Sequence, residues 1–328
     1  MPEHSGAPRT VTIVVEWENV LLAGLDRSRR MLAQLNRQVP AYAKAHGTTF
    51  ELLIITNPDE VDEAIPRAAV AEFVDAAQWP GRIAFLQAPG VHYYEQKNFG
   101  AKAAASEIVL LVDSDVIPDD GWLATLLTPF EDPATEVVAG CTYLDTRTML
   151  ERCFALFWFF PPKQPRPGMQ DSPNFYANNV AFRRPVFLDN PFPVSESYRG
   201  QGIEMARGLR QKGHRIRRHG EAWVNHPSPN GLRHAFVRAI VTGYDIVYWN
   251  RYRKRGWLAT GPLGALGRYV RTSGGVVRRV FKRRRALHAS LPLAASAVLV
   301  GLFFRFVVLL SEWTAFVAPK LIRRNFSI

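Results

Sequence analysis

The stretch "SEIVLLVDSDVIPDDGW", Ser106 to Trp122, decides how this chain is read. Ile108 to Val112 form an unbroken apolar run, followed at once by Asp113 and Asp115. Such a run, bounded by turn residues, is a strand buried on both faces. Residues i and i+2 of an extended chain point to the same side. The two carboxylates therefore share a side where the strand ends. They repel each other unless a cation lies between them or water screens them. Asp-Ser-Asp is also ordinary turn chemistry. Its place directly after a buried strand favours the cation, and oxygen ligands at that density suit Mg²⁺ or Mn²⁺.

The same pattern recurs upstream. "VTIVV" (11–15), "FELLIITN" (50–57) and "RIAFLQA" (82–88) are three further apolar runs. Between the first two lies a helical stretch with Leu21, Leu25, Met31, Leu32 and Leu35 at roughly helical spacing. A weaker helix, interrupted by Pro66, follows the second run, and "EQKNFGAKAAA" forms a helix after the third. Strands alternating with helices predict a Rossmann-like α/β fold, a mostly parallel sheet with helices on both faces. Ligands of such sheets sit at the carboxyl ends of the strands. That rim collects Glu16, Glu18, Asn57, Asp113 and Asp115.

Beyond residue 137 the pattern changes. "TEVVAGCTYL" and "ANNVAFRRPVF" read as strands, separated by an aromatic stretch and a proline-rich loop. "GIEMARGLRQKGHRI" reads as a helix that Gly213 stops.

Here a family resemblance emerges. "YYEQKNFGAKAAASEIVLLVDSDVIPDDGWL" (93–123) resembles the segment of family 2 glycosyltransferases that carries a basic residue and Asn before Gly, a small-residue helix, an apolar strand and DxD. "NNVAFRRPVF" and "LRQKGHRI" followed by a histidine extend the resemblance over roughly residues 10–245. It implies the GT-A fold and transfer of a sugar from a nucleotide-diphosphate sugar to an acceptor, with inversion and a divalent metal. Asp115 would ligate the metal, and Asp113 would reach the ribose or the metal. Lys97 and Asn98 match the basic-Asn pair beside the nucleotide. His226 matches a histidine that approaches the metal or the diphosphate; "HPSPNG" is also a natural turn.

Three positions depart from the family pattern. The first strand ends "VEWEN" instead of Pro-x-Tyr-Asn, so Glu16 or Glu18 would bond the base or ribose, with Trp17 either stacking or packing a core. Asn57 stands where an acid usually helps read the base. Aligned on Leu209 and Gly213, Gln201 and Gly202 occupy the place of the family's Glu-Asp pair. Inversion needs a carboxylate to take the acceptor's proton. Glu204, close to one helical turn on, is the candidate base, and Glu196 the reserve. A nucleotidyltransferase would need a Gly-rich loop after the first strand, which "VEWENVLLAG" lacks. A catalytically silent nucleotide-sugar-binding protein of the same fold is the remaining alternative.

Composition bounds the rest. Of 328 residues, 47% are apolar and 21% charged, enough for a packed core. Cys141 and Cys153 lie in no CxxC pair, which argues against zinc or a disulfide framework. "MPEHSGAPRT" has no signal-peptide core, so the catalytic part is expected in the cytoplasm. The net charge of +12 resides in one segment. Residues 251–286 hold 12 Lys and Arg and no acid, and elsewhere 29 basic residues balance 29 acidic ones. An apolar 20-mer, Leu291 to Leu310, follows directly. Arginines interleaved with aromatics also fit nucleic acid. The adjacent apolar stretch favours the cytoplasmic face of a membrane, with a peripheral tail or a single span and a lipid-linked or envelope saccharide acceptor. Arg305 weighs against a span, since a mid-bilayer charge costs about 2.5–3.5 kcal/mol on insertion scales. The expected organisation is a GT-A domain over residues 8–248 and a basic, apolar helical tail over 249–328.

Overall fold

A computed structural model describes residues 6–18, 20 and 24–326. Leu21, the first position of the expected helix, and the first half of the polar N-terminus, residues 1–5, lie outside these residues. Contacts divide the chain into two units. One comprises Met1–Thr142, Lys163–Val194 and Gln201–His226. The other comprises Tyr143–Pro162, Ser195–Gly200 and Pro227–Ile328.

The first unit is built on the expected alternation. Strands β1 (Thr10–Glu16), β2 (Thr49–Thr56), β3 (Gly81–Gln87) and β4 (Ile108–Asp113) run parallel in the order β3-β2-β1-β4. Their side chains alternate between two cores. Ile13, Leu52 and Leu110 face one, and Val14, Leu53 and Leu111 face the other. Both faces are therefore covered by helices, which is why each strand reads as a continuous apolar run. Helix α1 (Leu25–His46) closes the first face through Met31, Leu32, Leu35 and Val39. Pro66 does not interrupt α2 (Ala64–Phe73) but sits in its first turn, where a proline removes no internal hydrogen bond.

Helix α3 (Tyr93–Ala103) lies on the second face. It approaches the sheet so closely at Gly100 that a Cβ there would come within 2.5 Å of Val14 Cγ1. The Gly of the "KNFG" motif thus sets how deep Lys97 reaches.

Beyond β4 the sheet becomes antiparallel. A short strand β5 (Ile117–Pro118) precedes helix α4 (Trp122–Leu127) and strand β6 (Val137–Leu144). Helix α5 (Met149–Phe157) belongs to the other unit; strand β7 (Met169–Asp171), strand β8 (Asn179–Arg183), helix α6 (Arg184–Leu188), helix α7 (Gln201–Gln211) and strand β9 (Ile216–His226) complete this one. The sheet continues β4-β8-β6-β9-β5, with β7 also on β9. Asn179 is fully buried where β6, β8 and β9 meet. Its amide donates to the carbonyls of Cys141 and Ala222 and accepts from Trp122 Nε1. Helix α7 stops at Gly213, which adopts φ 88°.

The second unit is helical: α5 (Met149–Phe157), α8 (Gly231–Tyr252), α9 (Trp257–Thr260), α10 (Pro262–Arg284), α11 (Leu291–Val317) and α12 (Pro319–Phe326). Phe304 of α11 packs against Phe154, Phe157 and Trp158. Part of the basic segment turns inward. Arg279 and Arg283 donate to the last carbonyls of α5 and to Trp158 O, satisfying groups a helix end leaves open. Arg268 pairs with the buried Glu312.

Asp245 of α8 accepts the backbone N–H groups of Tyr198 and Arg199 at 2.8 and 3.0 Å. Burial outweighs these bonds and pushes its carboxyl up to about 8. A folded-state pKa raised above the unfolded value destabilises the fold as pH rises from about 4 through 8. The swing is on the order of a few kcal/mol, at ~1.4 kcal/mol per unit. The melting temperature of the parent protein should fall between pH 5 and 8, and Asp245→Asn should flatten that dependence. Equal slopes in a thermal melt series would refute this.

Candidate active site

The strand order fixes where a ligand can bind. From β1 the chain winds outward to β2 and β3, then returns to β4 on the other side of β1. The strand order thus reverses between β1 and β4, and such a switch point opens a crevice at the carboxyl edge. In that register Glu16 lies beside Asp113, and Asn57 follows β2 on the same edge.

Asp113 is held from both sides. Lys97, fully buried, sits 2.6 Å from its Oδ1. The Tyr93 hydroxyl donates to its Oδ2 at 2.6 Å. Lys97 Nζ also lies 4.6 Å from the Tyr93 ring centroid. Burial, then the Asp113 charge, hold the Tyr93 hydroxyl well above its ordinary range, so it stays a donor. Glu16 Oε2 accepts the backbone N–H of Glu18, and Glu18 accepts from Gln96 Nε2 at 3.2 Å. Burial pushes the Glu16 carboxyl up to about 8; Lys97 opposes this, while Asp113, Glu18 and Asp115 add to it. Four carboxylates thus crowd one buried corner.

Asp115, His226 and Asp113 converge. One ligand atom from each lies within 4.8 Å of the others. Asp115 and His226 are more than a hundred residues apart, and the β5–β9 ladder joins them: Ile117 pairs with Asn225. Arg27, nearly fully buried at the start of α1, locks the junction. Its Nε donates to Asp115 O at 2.7 Å, and its Nη2 donates to Asn225 O and Oδ1 at 3.0 and 2.7 Å. Two buried carboxylates and an imidazole form a donor set that fits Mn²⁺ or Mg²⁺.

The remaining candidates are distributed around this corner. Asn57 Oδ1 accepts from the Asp59 and Gly90 N–H groups, and its Nδ2 donates to none of the described residues. Asn98 clamps the backbone of Phe192 with both ends of its amide, at 2.8 and 2.9 Å. Trp17 is fully buried in the first core, so it packs instead of stacking. Glu204 is buried in the first turn of α7, with Arg207 3.6 Å from its Oε2. Glu196 pairs with Arg323 of α12 at 2.7 Å, within the helical unit.

Residues 29–189, just under half of the chain, match the sequence profile of glycosyl transferase family 2. The chain carries a family 2 glycosyltransferase domain. The fold of this domain is GT-A. A mannosyltransferase from Pyrobaculum calidifontis, solved with GDP-Man and Mn²⁺, aligns over 98% of this chain and 90% of its own, with a TM-score of 0.57 and 15% identity. GalNAc-T7, solved with UDP, GalNAc and Mn²⁺, aligns over 88% of this chain and 56% of its own, with a TM-score of 0.51 and 12% identity. A glucosyl-dolichyl phosphate glucuronosyltransferase of Haloferax volcanii is 26% identical over 105 residues. That match spans 30% of this chain and 33% of the relative, about a third of its length.

Sequence reasoning about the family 2 domain missed Tyr93, Gln96 and Arg27. Tyr93 and Gln96 precede the recognised "KN" pair, Tyr93 by about one helical turn and Gln96 directly, which is the available signal. Arg27 gave none, since an arginine on an amphipathic helix is expected at the surface. Arg27→Lys keeps the charge but loses the planar fork. It should lower turnover by about 10–100-fold, because an ångström of misplacement at a reacting centre can cost that much. Unchanged steady-state turnover would remove Arg27 from the account.

Proposed function

We propose that the enzyme is a metal-dependent, inverting glycosyltransferase that moves a sugar from a nucleoside diphosphate to a lipid-linked or envelope saccharide at a membrane surface. The observation that carries this reading is the convergence of Asp113, Asp115 and His226 at the switch point of the sheet. A bound Mn²⁺ or Mg²⁺ would neutralise diphosphate oxygens and ease their departure. Asp115 and His226 would hold it, with Asp113 oriented for it by Lys97 and Tyr93. Glu16, Glu18 and the Asn57 amide line the edge where a base and ribose would lie. Lys97 acts through Asp113, and Asn98 through the Phe192 loop.

Glu204 is the proposed base. As the acceptor oxygen bonds to the anomeric carbon and the carbon–diphosphate bond breaks, the hydroxyl proton passes to its carboxylate. Engagement of Glu196 by Arg323 favours Glu204 over that reserve. The lipid-linked acceptor rests on the apolar α11 and on the glucosyl-dolichyl phosphate in the name of the Haloferax relative.

The test is a thermal-shift series with UDP-, GDP- and dTDP-sugars, with and without Mn²⁺. A ligand at a hundredfold excess over its Kd stabilises by about 2.7 kcal/mol. One base should therefore raise the melting temperature by several degrees, and only with metal. No shift with any donor would defeat the reading.

A further inference from the structure

The helical unit presents two apolar stripes that no described residue covers. On α10, Leu263, Leu266, Val270, Val277 and Phe281 are exposed. At 3.6 residues per turn they fall within an arc of about 60°. Arg271, Arg278 and Lys282 of the same helix, and Arg285 at its C-cap, are exposed beside them, within the next ~100° of arc. On α11, Leu299, Phe303, Phe306, Leu310, Trp313 and Val317 are exposed at spacings of three and four.

The two helices form an antiparallel hairpin. Arg268 pairs with Glu312, Trp313 Nε1 donates to Pro262 O, and a Cβ on Gly301 would meet Val276. Each therefore shares the other's inclination to any surface. From Arg251 to the last residue Glu312 is the only acid, and it is buried. The outward face is cationic without relief.

We infer that the α10–α11 hairpin lies along the surface of an anionic bilayer instead of crossing it, with the α10 stripe among the acyl chains and its four flanking cations at the phosphates. This rests on the membrane-surface part of the proposed function and specifies its geometry. An apolar stripe beside a cationic flank is the pattern of an in-plane interfacial helix. A second copy of this chain is the poorer occupant, because two such faces repel. A crossing is disfavoured by the packing of α11. Its inner face is held by α8, α10 and α5. A bilayer-spanning α11 would draw α10 in beside it, with exposed Arg271 and Arg278 at hydrocarbon depth.

Flotation of the full chain with vesicles tests this. Vesicles of phosphatidylcholine with 30% phosphatidylglycerol should bind at least about tenfold more protein than phosphatidylcholine alone, and high salt should weaken binding. Val270→Asp with Val277→Asp, and separately Arg271→Gln with Arg278→Gln, should each lower binding about tenfold with unchanged circular dichroism. Nitroxides at Leu299→Cys, Phe306→Cys and Val317→Cys report depth. Along the surface all three stay near the headgroups; across the bilayer their depths spread over about 27 Å. Such a spread, equal binding to both vesicles, no binding, or a lipid-free dimer that covers the stripe would each overturn the inference. The donor-induced thermal shift, taken without lipid, fails or holds independently and so keeps the enzyme reading separate.

Discussion

Asp115→Asn is expected to lower sugar transfer by about a thousandfold or more, while leaving the metal-free protein at least as stable as its parent. The two halves of this expectation have one cause. Glu16, Glu18, Asp113 and Asp115 load one buried corner with carboxylates, and the high Glu16 pKa records the strain of burial and crowding. Removing one like charge relieves that corner when no cation is present. With Mn²⁺ the order should reverse, because the parent gains binding free energy that the variant lacks. A metal contribution of several kcal/mol to leaving-group departure converts to about a thousandfold at 1.4 kcal/mol per decade. Paired melts with and without Mn²⁺, plus initial rates, check it. A variant less stable without metal, or fully active, would show that Asp115 serves the fold alone.

The same substitution at Asp113 would be less informative. Its two oxygens already answer Lys97 and Tyr93. An Asn there strands a fully buried ammonium, and breaking such a pair costs about 3–5 kcal/mol. Lost activity would then follow from lost structure. The neighbours in the DxD motif thus divide the work: Asp113 ties the strand end to α3, and Asp115 faces His226.

What the sequence made legible follows from periodicity. β1, β2 and β4 are buried on both faces, so their composition alone marks them. Asp113 and Asp115 were legible because a strand buried on both faces cannot hold charge except at its end. β5, β7 and β9 were not legible. β9 is partly exposed along its first half, where "IRRHG" carries no apolar alternation. Without β9 the meeting of His226 with Asp115 has no local signal, since it depends on a ladder closed across the chain. The basic segment was legible as charge but not as two populations. Arg268, Arg279 and Arg283 turn inward to a carboxylate and to helix-end carbonyls. Only the fold separates them from the outward four.

Glu204→Gln should lower turnover by about 10²–10⁴-fold, the usual contribution of a positioned base, with little change in the donor's KM. Gln matches Glu in shape and still accepts from a hydroxyl, so acceptor binding is retained while proton uptake is not. The position is unusual for the role, since Gln201 and Gly202 stand where the family carries its acids. Gln201 and Glu204 are both buried in the first turn of α7, so a carboxylate three residues late remains on the inward side of the helix. Glu196→Gln should leave the rate nearly unchanged, because its partner is Arg323. If Glu204→Gln retains parental turnover, the base lies elsewhere. If the parent binds donor with Mn²⁺ yet transfers no sugar to any acceptor, the departure at Gln201 and Gly202 marks a protein that holds nucleotide sugars without consuming them.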